Sequence, residues 1–396
     1  MHKIALMVSN LCTLGGTERV TANLSQALSK WYECHVITLW NDGTYAYQLD
    51  PAVHLFNLYP QKRRLRAMAV DGTLRIRKYL KEQGIEVLIV VGRNNGLLPL
   101  FVGLCSSTRL IYCEHNSVSS WRFYKETLKQ RVHRHLLQFL LYHVPDCVVT
   151  LTEKDLAFYK DAFVRSERIY NALDDKLLAE KAVYHPEAKK LLTIARIDYQ
   201  KGLEYMVKVA KRVLARHPDW IWDVWGGGDD APYERKIKSL IHKNGLDGRL
   251  QLKGARSCAY DLYDQYGVFV LTSRYEGLPM VLLEAKAKKL PSVSFDIHSG
   301  PSDIIRDGVD GYLVKPFDVD EMAEKISDLI ERPALRQQFS DAAWGNLDQF
   351  REETIISQWI KLIDDTLKAG GVTHWIKSCG IARQSDYAGM AGDLLC

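Results

Sequence analysis

The sequence predicts an α/β protein of two domains, each built on a parallel sheet. Three observations point there. The length, 396 residues, exceeds what one ordinary core organises. Short apolar runs, such as Lys3 to Val8, Val87 to Val91, Lys190 to Ile194 and Val268 to Leu271, alternate with longer amphipathic stretches, as βα units do. Several of these runs end in a loop carrying glycine or charge, and in parallel sheets ligands bind at the carboxyl ends of the strands.

Composition agrees with a folded enzyme. Hydrophobic residues make up 47% and charged residues 26% of the chain, with no repeat or low-complexity tract, which excludes extended disorder. The eight cysteines include no C-x-x-C pair and no His/Cys cluster at zinc spacing, so reduced thiols in a cytoplasmic protein are expected. The apolar part of the N-terminus is too short for a signal peptide, and no apolar run approaches the ~20 residues that span a bilayer. Charge is uneven. Residues 1 to 170 carry 22 Lys/Arg against 14 Asp/Glu, whereas the remainder carries 31 against 34. The excess lies in Lys62 to Lys81 and Arg122 to Arg134, interleaved with aromatics and leucines.

In the first half, the strand 3–8 leads through Gly15 and Gly16 into a helix over about 17–30, where Gly-Gly admits close backbone approach but lacks the dinucleotide spacing G-x-G-x-x-G. Strands are expected at 35–39 and 87–91, with a basic helical stretch over 62–84 between them. A strand at 110–113 delivers Glu114-His115-Asn116 to its carboxyl end. There His115 serves either as a hydrogen-bonding group near a ligand or as a satisfied core histidine. A helix over 119–142 admits two readings, an anionic-membrane contact or a solvated basic face over an ordinary core stripe. After the strand 147–151, Thr152 reads as the N-cap of a helix, with Asp155 at its third position. These elements place a first domain at 1–170 and a linker at 171–189.

A second domain is expected over 190–352. Arg196 and Lys201 follow the strand 190–194 in a loop closed by Gly202, and Gly226-Gly227-Gly228-Asp229 follows the strand 221–225. After the strand 268–271, Glu276-Gly277-Leu278-Pro279-Met280 turns into a helix that carries Glu284. Strand, tight loop and helix start offer unpaired N–H groups to an anion, and two cations beside them suit a diphosphate. Asp318-Val319-Asp320 looks superficially like a metal-holding Asp-x-Asp pair, yet Asp318 followed by Glu321 reads as a helix cap. Helices at 335–349 and 353–368 close the chain, and the tail 369–396 has no readable pattern.

Taken together, Gly-Gly-Thr-Glu-Arg near the start, Glu114-His115, Arg196-Ile197-Asp198-x-x-Lys201-Gly202, the Gly226–Asp229 turn and the Glu276/Glu284 pair resemble family 4 glycosyltransferases over about residues 1 to 368. The resemblance implies the GT-B architecture: two Rossmann-like domains facing across a cleft, with the C-terminal helix 353–368 crossing back to the first. It also implies retaining transfer of a hexose or N-acetylhexosamine from a nucleotide sugar, a UDP-sugar above all, with no cofactor and no metal. On this resemblance Arg196 and Lys201 hold the donor diphosphate, Glu276 contacts the donor sugar and Glu284 the ribose. Gly277, Leu278, Pro279 and Met280 meet sugar or phosphate through their backbone, Gly16 and Gly227 border the donor, and His115 lies near sugar and acceptor. The catalytic set is then His115, Glu276, Arg196 and Lys201. The sequence departs from the family pattern at Ala195, where Gly is common, and at Lys288-Lys289-Leu290-Pro291, where Gly often precedes Leu-Pro.

Family members often build lipopolysaccharide, capsule or lipid-linked glycans, so a glycan or lipid-linked acceptor is expected, with peripheral contact to the anionic inner face of the cell membrane. A catalytically silent sugar-nucleotide-binding partner in an assembly complex is the alternative. The missing dinucleotide fingerprint disfavours a nicotinamide oxidoreductase, and no nucleic-acid motif accompanies the basic helices.

Overall fold

The computed structural model describes residues 1–13, 15–104, 106–179, 182–228, 230–256 and 260–369. Asp229 and the tail from Gly370, both noted in the sequence, lie outside them.

Two all-parallel sheets form. The first contains β1 (Lys3–Val8), β2 (Glu33–Thr38), β3 (His54–Asn57), β4 (Val87–Val91), β5 (Arg109–Glu114), β6 (Cys147–Thr150) and β7 (Ser166–Arg168), in the order β3-β2-β1-β4-β5-β6-β7. The second contains β8 (Lys190–Ile194), β9 (Ile221–Trp225), β10 (Leu250–Gly254), β11 (Val268–Leu271), β12 (Ser292–Phe295) and β13 (Gly311–Val314), in the order β10-β9-β8-β11-β12-β13. The order in which strands are added reverses between β1 and β4 in one sheet and between β8 and β11 in the other. Loops leaving neighbouring strands diverge at such a point and open a crevice. The glycine turn before residue 17, the Arg196–Lys201 loop and the 273–279 loop all leave these central strands.

The longer helices are α1 (Gly16–Leu28), α2 (Asp71–Gln83), α3 (Leu128–His143), α4 (Glu153–Asp161), α5 (Leu203–Arg216), α6 (Ala231–Lys243), α7 (Met280–Ala287), α8 (Val319–Glu331), α9 (Pro333–Ala342) and α10 (Glu352–Lys368). Several start where a polar side chain satisfies a helix-end N–H. Thr152 accepts from Asp155 N and Asp318 from Glu321 N, as their positions predict, while Asp320 pairs with Arg212 at 2.5 Å.

Two expected helices change, and two strands were not expected. The stretch 119–142 is not one helix. Ser120–Phe123 is a 3-10 turn, Tyr124 is extended, and α3 begins only after Thr127, whose capping box with Gln130 fixes the start. The helix expected at 335–349 stops at Ala342 and continues as 3-10 turns interrupted at Asn346. The edge strands β3 and β7 escape a pattern reading, because His54, Asn57, Glu167 and Arg168 leave too little apolar alternation to register.

One apolar core crosses the domain boundary. It runs from Ile4, Leu6 and Ile89 through Leu173 and Leu177 to Leu271, Leu278 and Leu282, and it includes Ile355, Trp359 and Ile363 of α10. α10 thus returns to the first domain, where Tyr32 also donates from its hydroxyl to Asp364 Oδ1 at 2.8 Å. The connection after β7 is packed, with Leu173 N bonded to Phe350 O at 2.8 Å and Tyr184 OH to Gly267 O at 2.8 Å.

Candidate active site

The loop after β11 carries the main cluster. Glu276 is buried at the end of that strand, and its Oε1 accepts from Lys201 Nζ at 2.6 Å and from Ser273 Oγ at 2.6 Å. Gln200 Nε2 reaches Glu276 Oε2 at 3.3 Å and Tyr275 O at 3.0 Å, and its Oε1 accepts from Arg196 at 3.3 Å. A chain therefore runs Arg196, Gln200, Glu276, Lys201. Asp198 shapes it: its side chain caps the 3-10 turn Tyr199–Lys201, and Gly202 follows at φ 62°, where an added Cβ would lie 2.3 Å from Thr272 O. A side chain there would drive the cation loop away from the Glu276 strand.

Arg196 stands apart from the buried pair. Its side chain is 65% exposed and pairs with Asp198 at 3.1 Å, so it faces open space. Gly226 and Gly228 press against Ala195 O and Ile197 O, closer than a Cβ permits, and Gly227 O accepts from Ile197 N at 2.9 Å. The glycine turn and the cation loop are thereby packed as one unit.

Glu284, two turns of chain beyond Glu276, is buried. Its Oε2 accepts from Tyr263 OH at 2.9 Å and its Oε1 from Arg19 Nη2 at 2.9 Å. Arg19 belongs to α1, so this contact ties the two domains across the cleft. Gly277 makes a second tie, since an added Cβ would lie 2.4 Å from His115 O. Leu278 is buried, Pro279 occupies the N-cap of α7 and Met280 opens the helix, where first-turn N–H groups lack intrahelical partners. Met280, His115 and Arg19 line one small cavity together with Asn171, Glu352 and Trp359. Burial lowers the His115 imidazole to about 4, which makes it neutral at physiological pH. Gly16 opens α1 with nothing within 4 Å of an added Cβ.

The family model described as Glycosyltransferase Family 4 matches residues 14–177, and that described as Glycosyl transferases group 1 matches residues 175–344. The chain belongs to the family 4-like glycosyltransferases of the GT-B fold. This glycosyltransferase is 27% identical over 378 residues to the amylovoran biosynthesis glycosyltransferase AmsD of Erwinia amylovora, covering 92% of this chain and 100% of that one. It is 25% identical to a Campylobacter jejuni N-acetyl-D-galactosaminyltransferase named for an undecaprenol-linked acceptor, covering 93% and 100%. The solved Anabaena protein HepE, in complex with UDP and glucose, shares the fold at a TM-score of 0.75 and 16% identity, covering 92% of this chain and 100% of that one.

In this glycosyltransferase the structure brings Lys201 to Glu276 and places Glu284 on the same helix-bearing element, while His115 approaches Gly277 from the first domain and Gly16 opens the helix that carries Arg19. Four side chains that hydrogen-bond to Glu276 or Glu284 were not assigned a role from sequence. Ser273 and Gln200 lack any distinguishing pattern, and Tyr263 precedes the loop by a whole element. Arg19 alone carried a signal, as the last residue of Gly-Gly-Thr-Glu-Arg.

Proposed function

We propose that this glycosyltransferase moves a hexose or N-acetylhexosamine from a UDP-sugar to a glycan or lipid-linked glycan of the cell surface, with retention at the anomeric carbon. The chemistry needs charge stabilised on the departing diphosphate and positive character stabilised at the sugar. The exposed Arg196 and the adjacent Lys201 suit the first need without a metal in the chemical step. Glu276, held rigidly by Lys201, Ser273 and Gln200, suits contact with the donor sugar, and Glu284 suits the ribose. Neutral His115 is fit to exchange hydrogen bonds with a sugar hydroxyl. Attack from the face the diphosphate leaves, with that phosphate taking the acceptor proton, accounts for retention without a covalent nucleophile.

The 2.6 Å Lys201–Glu276 contact carries this reading, because it preorganises a cation and a carboxylate at a β-strand terminus facing the other domain. The lipid-linked acceptor is supported by the basic first half and by the acceptor named for the Campylobacter relative; it implies work at the inner face of the cell membrane. To test it, nucleotide release and thermal shift are measured with UDP-, GDP- and ADP-sugars, with chelator present. One donor is expected to stabilise the protein and release nucleotide, with Lys201→Ala and Glu276→Ala lowering the rate about 10²–10³-fold. Stabilisation without release, even with lipid-linked acceptors, would identify a silent binding partner. No response to any donor rejects the proposal, and the anomeric configuration of the product decides retention.

A further inference from the structure

α3 departs from the behaviour of the other helices. Leu128, Val132, Leu136 and Phe139 are 76%, 60%, 43% and 52% exposed. At about 100° per residue these four fall within an arc of about 80°. The opposite side of the helix packs inward through Leu137 and the buried Leu141. The apolar stripe is therefore not a core stripe but an outward one, and Lys129 and Arg131 flank it on its two sides.

The surrounding charge has one sign. Between residues 115 and 145 the sequence holds Arg122, Lys125, Lys129, Arg131 and Arg134 against the single carboxylate Glu126. Arg134 already neutralises Glu126 at 3.1 Å. A second copy laid on the stripe would set Lys129 and Arg131 of both chains together with no carboxylate to meet them. An anionic bilayer surface meets both features at once, taking the apolar side chains at its acyl boundary and the cations among its headgroups.

The segment leading into α3 reaches the active site. Phe123 stacks on Tyr275 with ring centroids 5.4 Å apart, and the hydroxyls of Tyr124 and Tyr275 hydrogen-bond. Tyr275 immediately precedes Glu276.

We propose that α3 is the membrane-docking element of this protein, seating Leu128, Val132, Leu136 and Phe139 in the interface of an anionic bilayer and so presenting the cleft to a lipid-linked acceptor. The inference deepens the lipid-linked reading above and rests on it for its purpose, though the docking itself is measured separately.

The test is flotation of the full chain with vesicles of phosphatidylcholine alone and mixed with phosphatidylglycerol. The wild type is expected to float only with the anionic vesicles. Leu128→Ser/Val132→Ser/Leu136→Ser should weaken that binding about tenfold or more, and Lys129→Gln/Arg131→Gln should weaken it and flatten its salt dependence. Both variants should release nucleotide with a water-soluble acceptor as fast as wild type, which certifies their folding and separates this question from that of the reaction. Equal flotation of wild type and the serine variant overturns the proposal, as does no flotation of the wild type. A concentration-dependent dimer in light scattering that the serine variant abolishes would give the stripe to a second copy and equally overturn it. Flotation by α3 with no transfer to lipid-linked acceptors would sustain the docking and reject the lipid-linked acceptor.

Discussion

His115 shows how burial sets a residue's chemistry. Its imidazole falls from the usual 6.5 to about 4 because the charged form loses its hydration. A group whose folded value is depressed contributes stability that is complete above the unfolded value and lost as pH falls. Here the window runs from about 6.5 down to about 4. NMR titration should therefore find the ring neutral above pH ~5, and His115→Asn should flatten the acid side of the stability profile in that window. A ring that titrates near 6.5 would contradict this assignment. Glu276 depends on its neighbours in a different manner. Lys201 and Ser273 both bind Oε1, so the carboxylate orientation is fixed by groups far apart in sequence.

At the scale of elements, local chemistry decides where helices begin. α3 starts at Leu128 because the Thr127 hydroxyl accepts from Gln130 N while the Gln130 side chain accepts from Thr127 N at 2.8 Å. The first turns of α3 pack little against the body, so this cap matters more than usual. Thr127→Ala should cost about 1 kcal/mol, read as faster amide exchange confined to the first turns of α3. Exchange unchanged there would remove the cap as the cause of the helix start. The departure at Lys289 has a matching local reason. Lys289 adopts φ 57° just after α7, the left-handed position where glycine is favoured, and its ammonium lies over the Trp344 ring at 4.8 Å. Ala195, the other departure, is buried with its carbonyl against Gly226, so the close approach is made by the facing glycine.

At the scale of the whole molecule, the cleft is set by contacts between domains: Arg19 with Glu284, Gly277 against His115 O, Glu153 N with Asp303 Oδ1 at 3.0 Å, and α10 against the first domain. Gly277→Ala tests how tightly that geometry is specified. Its Cβ cannot share space with His115 O, so the two domains must separate locally. A displacement of about 1 Å at reacting groups costs about 10²-fold in rate. We expect that loss in donor-dependent nucleotide release with far-UV circular dichroism unchanged; full activity would show that the cleft does not depend on this approach.

The sequence by itself determined the two parallel-sheet domains, the order of their central strands along the chain and the loops that carry Arg196, Lys201, Glu276 and Glu284. Apolar period, glycine placement and loop charge are local quantities, and each element of the cleft announces itself within a dozen residues. Edge strands β3 and β7 and the break before α3 were less legible, since short polar strands carry no period and a capping box at Thr127 competes with a continuous basic pattern. Tertiary structure alone decided that Lys201 binds Glu276, that Arg19 reaches Glu284 from the other domain, that Arg196 faces outward and that, among the described residues, none covers the stripe on α3. Those facts depend on which face of an element meets another, and a one-dimensional pattern marks an apolar face without recording what packs against it.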